Sequence, residues 1–410
     1  MEIGQIIEAL LTPEGREDPY PLYAEARAVG PLAKLKDAPL YLCTGYDEIN
    51  TVLRDNAFGK ARFASLPEEV RAGLAGDGAA QGLANSILAG NPPDHRRVRS
   101  LVSSAFTQRR VAALEPAIER MTDELLDELA DLGADGAQVD FMEYFAYRLP
   151  VTVICELLGV PEADRYLFRP LGRELTAVLE LVDDFAGLAA ADEASRELRR
   201  YFRELAERRR ADPQDDLVSA LVHVNDAQDG RLSDVELLAN VVLLFVAGFE
   251  TTTNLLGNGL YLGFENPEVL ARVRAGETPV SDYVEEVLRY DSPVQLTGRF
   301  ALAEGARVGE SPIAVGEQIL MLMGAAHRDP ARFPNPDVFD PTRPDNVPLS
   351  FGAGIHYCLG QGLARLEAQV AFRKLFARFP ELGLAAPATR QDRLVLRGYQ
   401  SLPVSLKSAS

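Results

Sequence analysis

The strongest constraint on this chain is the run from Val235 to Gly263, which is almost wholly apolar. Ser233 precedes it and Glu236 follows three positions on, a pairing that caps a helix N-terminus by reciprocal hydrogen bonds. A helix that is apolar on every side has to be buried. The spacing therefore predicts a helix over 233–264 through the middle of the molecule. Two residues inside it break the rules. Gly248 costs about 1 kcal/mol relative to alanine in mid-helix, and Glu250 costs more unless it finds a partner or a proton. Such violations are expected where function is built. The neighbouring Thr251 hydroxyl can bond the carbonyl four residues back and loosen the helical ladder there.

Helical periodicity also covers 47–54, 96–106, 111–132, 142–158, 192–210, 281–290 and 359–379. Strand signals are short, at 31–36, 40–44, 294–301, 318–322, 394–396 and 404–406. The glycine- and alanine-rich stretch 72–90 reads as a mobile loop, and 325–350, rich in Pro, Asp and Arg, as irregular but ordered. No repeat, linker or shift of composition divides the chain. The expectation is one mainly α domain over 1–410 with a small β portion.

A net charge of −19 over 410 residues argues against nucleic acid as the main ligand, because phosphate backbones require a basic footprint. The cysteines are Cys43, Cys155 and Cys358, an odd and widely spaced set that suits a reducing compartment. The N-terminus lacks the basic start and long apolar centre of a signal peptide. No stretch approaches the roughly 20 uninterrupted apolar residues of a membrane span. A cytoplasmic, membrane-free monomer is expected.

The chemistry concentrates in Phe351-Gly-Ala-Gly-Ile-His-Tyr-Cys358-Leu-Gly360, a glycine-containing loop that runs into a periodic helix. A thiolate at a helix N-terminus accepts backbone N–H bonds at the positive end of the dipole. It is a competent single ligand for haem iron, and Gly352 and Gly354 let backbone approach a flat macrocycle. An isolated cysteine is far more often simply buried; the ten-residue pattern reverses that preference.

This segment resembles the haem-binding signature of the cytochrome P450 superfamily, and further matches follow in the right order along the chain. The resemblance implies that fold, with a long helix over haem b and a proximal cysteine loop, and Cys358 as the metal ligand. Glu286 and Arg289, three apart on a helix, match the family's Glu-x-x-Arg pair, with Arg343 as its third, structural member: a carboxylate between two guanidinium forks. Ala247-Gly248-Phe249-Glu250-Thr251 matches the distal helix segment, with Thr251 as proton-relay hydroxyl and Glu250 as its carboxylate. His95, Arg99, Arg299 and His356 match the contacts to the haem propionates. Phe351, Gly352, Ala247 and Gly248 complete the cofactor-binding set.

The same resemblance implies O2 as co-substrate and electrons from NAD(P)H through a ferredoxin and its reductase. Arg96, Arg97, Arg109 and Arg110 are solvated by default, or serve that partner. Leu243, Leu244, Ala247, Val294, Leu296 and Leu402, with 59–90, 165–190 and Ser401, are expected around a largely apolar substrate. The implied reaction is hydroxylation or epoxidation, in keeping with bacterial enzymes that tailor secondary metabolites. Oxidative aromatic coupling fits the same motifs. Peroxide-dependent hydroxylation fits less well, because it needs no proton relay at Glu250 and Thr251. A haem-based redox or gas sensor is the non-enzymatic alternative. His223 and His327 are read as surface or structural residues, and Cys43 and Cys155 as inert packing.

Overall fold

The computed structural model describes residues 1–36, 38–61, 77–180, 188–227 and 231–407. Its organising element is the helix Asp234–Glu265, capped as the sequence predicts. Glu236 N–H donates to Ser233 Oγ at 3.3 Å, and Ser233 N–H donates to Glu236 Oε2 at 2.9 Å. This central helix packs against Arg148–Leu158, Phe168–Leu175, Ala189–Ala211, Leu217–Asp226, Val280–Tyr290 and Gln361–Arg378. It is the one described helix long and apolar enough to cross a membrane by composition, and two-thirds of its most apolar window is buried in the protein.

The central helix serves two cores. Leu237, Val241, Phe245 and Phe249 belong to a cluster with Phe168, Leu198 and Phe202. Leu255, Leu256 and Leu260 belong to another with Phe141, Phe145, Phe372 and Leu375. Glu250 to Asn254 falls between them. The polar residues therefore sit where neither core requires a large apolar side chain.

Five strands form the main sheet: β1 (Leu32–Lys34), β2 (Leu40–Cys43), β3 (Phe58–Gly59), β4 (Leu296–Ala301) and β5 (Gln318–Leu322), in the order β1-β2-β5-β4-β3. Only β2 and β5 pair in parallel. Pro403–Ser405 joins Val139–Asp140 and Gly383–Leu384 in a smaller sheet. Residues 394–396 form no strand of their own; they make one bridge, Leu396 to Val294.

Several expected helices differ for local reasons. The span 111–132 is two helices, Gln108–Ala113 and Glu115–Leu132. Pro116 lacks the N–H to continue the ladder but suits a first turn. The span 142–158 opens with a π-turn, Met142–Ala146, and 96–106 tightens to a 3₁₀ turn over Ser103–Phe106. Part of the expected mobile loop is instead the helix Ala79–Ala84; its residues 72–76 lie outside the described residues. This short helix is held by tertiary contacts: Ala79 N–H donates to Asp192 Oδ1 at 2.8 Å, and Ile87 N–H to Asn240 Oδ1 at 2.9 Å just beyond.

A buried ion cluster ties the N-terminal helices to the end of the chain. Asp291 Oδ1 accepts from Arg397 Nε at 2.7 Å and from the Tyr20 hydroxyl at 2.8 Å, and Asp291 Oδ2 accepts from Arg390 at 3.0 Å. Burial alone would raise the Asp291 pKa, but Arg397 and Arg390 more than offset it and hold it at about 2 instead of 3.8. A depressed carboxylate stabilises the fold above its unfolded pKa and loses that contribution as pH falls through the folded value. About 2 kcal/mol should therefore disappear between pH 4 and pH 2. Urea midpoints across that range should fall less steeply in Asp291→Asn than in the wild type; parallel slopes would contradict the assignment.

Candidate active site

The cysteine loop is anchored at several points before the sulfur is reached. Leu349 N–H donates to His327 Nε2 at 2.9 Å, and the Ser350 hydroxyl donates to Leu288 O at 2.6 Å. Buried His327 is thus a structural tether, while His223 is exposed on its helix. Gly352 and Gly354 both have positive φ, 68° and 66°. At Gly354 a Cβ would also lie 2.1 Å from Leu53 O, so only glycine fits. Cys358 N–H donates to Phe351 O at 2.9 Å, and Arg365 lies 4.4 Å over the Phe351 ring.

Cys358 sits immediately before the helix Gln361–Arg378. The residue as a whole is exposed, yet the protein packed around its thiol pushes its pKa up. Backbone N–H groups of Gly360 and Gln361, with the guanidinium groups of Arg99 and Arg365, favour the thiolate against that burial. Cys43 and Cys155 are buried, with thiol pKa values raised mainly by desolvation, as inert packing residues should be.

Four predicted residues converge beside this loop. His95 and Arg99 come from the helix Asp94–Val102, Arg299 from β4 and His356 from the turn Gly354–His356. The His95 and His356 rings are 4.3 Å apart, and Arg99 donates to Tyr357 O. Both imidazole Nε2 atoms are buried without a hydrogen-bond partner. Burial and then neighbouring cations lower the His95 pKa to about 4 and the His356 pKa to about 2. Burial lowers Arg299 to about 10.

Sequence reasoning missed a fifth member, Lys60. Asn91 clamps its backbone from both sides, accepting from Lys60 N–H and donating to Lys60 O, each at 2.9 Å. Burial, then Arg299, lower the Lys60 ammonium pKa to about 7. Among the described residues no carboxylate pairs with Lys60, Arg99 or Arg299. The one legible hint was Asn91, directly before Pro-Pro, but its partner lies 31 residues away. Repelling cations and orphaned imidazoles demand an anion. They fit the two carboxylates of a haem, whose iron Cys358 would hold.

On the central helix, Leu243, Ala247 and Thr251 are spaced four apart and share one face. The Thr251 hydroxyl donates to Ala247 O at 3.0 Å, and the Thr252 hydroxyl donates to Gly248 O at 3.3 Å. Two successive carbonyls are thus shared with side chains. Gly248 has a packing reason to be glycine, since a Cβ would meet Ile154 Cδ1 at 2.8 Å. Glu250 is 2 % exposed and turned aside: its Oε1 lies 3.5 Å from Arg393, and its Oε2 has no hydrogen-bond partner. No hydrogen bond joins it to Thr251. Burial raises its pKa, opposed by Arg393, Gln391, Arg173 and Asn254.

The buried carboxylate network forms with one change. Arg289 grips Glu286 with a fork, Nε to Oε2 at 2.8 Å and Nη2 to Oε1 at 2.6 Å. Arg343 Nε, however, stands 3.7 Å from Glu286 and makes no hydrogen bond to it. Its Nη groups donate to the Pro334, Asn335 and Val338 carbonyls. Asp340 N–H at 2.7 Å and Asn346 Nδ2 at 3.0 Å take the remaining Glu286 acceptors. The two guanidinium groups share the carbonyls of this segment: Arg289 serves Pro336 and Val338, and Arg343 serves Pro334, Asn335 and Val338.

A cleft of about 400 Å³, mouth included, lies against the distal helix, lined by Leu83, Leu175, Leu179, Val242, Leu243 and Val246 among others. Of the residues expected around the substrate, Leu243 stands on its wall, with Ala79, Gly82 and Leu83 from 59–90 and Leu175, Val178 and Leu179 from 165–190. Leu244, Leu296 and Leu402 are packed into hydrophobic cores instead, and Val294 is partly buried beside Leu396. Within the expected pocket segments, 62–76 and 181–187 lie outside the described residues.

Fold and site together define a mainly α protein whose cysteine loop gathers cationic and imidazole side chains that fit an anionic cofactor. The family described as Cytochrome P450 matches residues 71–276 and 280–384. The chain is 42% identical over 398 residues to 6-deoxyerythronolide B hydroxylase of Saccharopolyspora erythraea, covering 95% of this chain and 96% of that one. It is 39% identical to cytochrome P450 monooxygenase PikC of Streptomyces venezuelae, covering 94% and 91%. Among solved structures, P450BioI in complex with acyl carrier protein ligated by hexadec-9Z-enoic acid gives a TM-score of 0.87 at 35% identity, covering 96% and 99%. The chain belongs to the cytochrome P450 family, and its activity is that of a haem- and O2-dependent monooxygenase.

Proposed function

We propose that this enzyme inserts one atom of O2 into a largely apolar organic substrate, as hydroxylation or epoxidation, in bacterial secondary metabolism. The observation that carries the site assignment is the convergence of Lys60, His95, Arg99, Arg299 and His356 beside Cys358, with no carboxylate among the described residues to pair them. These five groups hold the haem propionates, and the Cys358 thiolate holds the iron; haem, when bound, supplies O2 binding and oxidising power. The apolar cleft along the central helix receives substrate and excludes water.

Thr251 holds a proton-bearing hydroxyl at the distal face in this reading. Its donation to Ala247 O leaves its oxygen lone pairs free to accept from water. Buried Glu250, with a raised pKa and an unpartnered Oε2, is the nearest proton carrier on that helix, and Arg393 fixes its other oxygen. Because the two side chains do not touch, delivery requires a water or a rotation of Glu250 between them. In Thr251→Ala, haem loading and substrate binding should persist, while product formed per NAD(P)H falls at least about tenfold and hydrogen peroxide accumulates. Unchanged coupling would remove Thr251 from this role.

Electrons come from NAD(P)H through a ferredoxin and its reductase, which act on a monomeric, cytoplasmic enzyme. Arg96 and Arg109 are exposed and available for such docking, whereas Arg97 is taken by Glu236 at 2.6 Å. The test of substrate class is a ligand screen on the haem-loaded protein, read from the iron spin state. Apolar ligands should shift it. A response confined to small polar compounds would contradict the apolar reading.

A further inference from the structure

Among the described residues, the distal cleft has one charged group on its wall. Arg199, on the helix Ala189–Ala211, faces Ala79, Gly82, Leu175, Val178 and Val242. Its neighbours on that helix are engaged: Arg196 pairs with Glu193 at 2.7 Å and Asp77 at 3.6 Å, and Arg200 with Glu204 at 3.4 Å. Arg199 makes no hydrogen bond or ion pair among the described residues. Asp77 and Asp192 favour its charge from a distance, but burial outweighs them.

Ser195 lies one turn earlier and is buried. Arg199 Nη1 and Ser195 Oγ each lie 3.5 Å from the point where a Cβ would stand on Gly82. The bare glycine thus leaves one small space onto which a guanidinium and a hydroxyl converge. The rest of the wall is aliphatic. From Ala239 to Val246 the cleft follows roughly 10 Å of the central helix, and its inner end adjoins Ala247, one turn before Thr251.

A guanidinium that lacks a partner in an apolar wall gains most from a planar two-oxygen acceptor. We propose that the substrate is an elongated, largely apolar molecule ending in a carboxylate, which Arg199 and Ser195 hold at its acidic end while its chain runs down the cleft toward Thr251. This deepens the monooxygenase reading and rests on the cleft being the substrate site.

The test uses the haem-loaded enzyme with dodecanoic acid and methyl dodecanoate as paired probes, with affinity measured by calorimetry and by spin-state titration. The acid should bind wild type at least about tenfold more tightly than the ester. Arg199→Gln should abolish that preference and leave ester binding within about twofold, and Arg199→Lys should retain part of it. Equal affinity for acid and ester in wild type, or an acid preference that survives Arg199→Gln, overturns the role of Arg199 while leaving the cleft as the substrate site. Failure of both probes to bind overturns the cleft assignment and this proposal with it.

Discussion

Replacing Cys358 with serine is expected to abolish the red-shifted absorption of the ferrous–CO complex and to bring oxygenation to background. A hydroxyl is a far poorer anion than a thiol near neutral pH, and the Gly360 and Gln361 N–H groups with Arg99 and Arg365 would favour a thiolate that holds the iron. Cys358 belongs to none of the hydrophobic cores, and its backbone N–H still reaches Phe351 O, so the variant should fold normally. Circular dichroism and the unfolding midpoint should therefore match wild type. Survival of the red-shifted band would assign the iron to another ligand.

Glu286→Ala should have the largest effect on assembly. It removes a fully buried carboxylate that accepts two bonds from Arg289, one from Asp340 N–H and one from Asn346. Arg289, also fully buried, would lose its counter-charge, and breaking one side of a buried pair costs about 3–5 kcal/mol. The Arg289 bonds to the His327, Pro336 and Val338 carbonyls connect that loss to the segment carrying Leu349 and the cysteine loop. Glu286→Gln keeps the shape and some hydrogen bonding, so it should fall between wild type and alanine. Haem content per chain and the urea midpoint report the result. A fully loaded, equally stable alanine variant would contradict the structural role of this network.

What was legible in the sequence was whatever broke a local rule. Gly248 and Glu250 stand out because an apolar helix tolerates neither, and Gly352 and Gly354 stand out because they flank a cysteine at a helix start. Capping and periodicity placed the central helix within a residue of its observed ends. Less legible was how side chains share partners across the chain. Glu286 and Arg289 meet because a helix makes them neighbours, but the preference of Arg343 for backbone carbonyls depends on how residues 334–338 fold. Lys60 carries no local signal, since its burial arises only when β3 pairs with β4 near Arg299 and Asn91 closes over it. The helix Ala79–Ala84 was hidden for the same reason: its sequence is weakly periodic, and Asp192 captures its first N–H from another element. Glu250 points toward Arg393 and away from Thr251 because residues 391–396 return to the central helix, a contact the spacing on that helix could not reveal.

The most direct measurement is a haem titration of the purified chain, followed by reduction under CO. The account predicts uptake of one haem per chain with the red-shifted absorption of thiolate ligation. A chain that takes up no haem, or binds it with the spectrum of a histidine ligand, would contradict it.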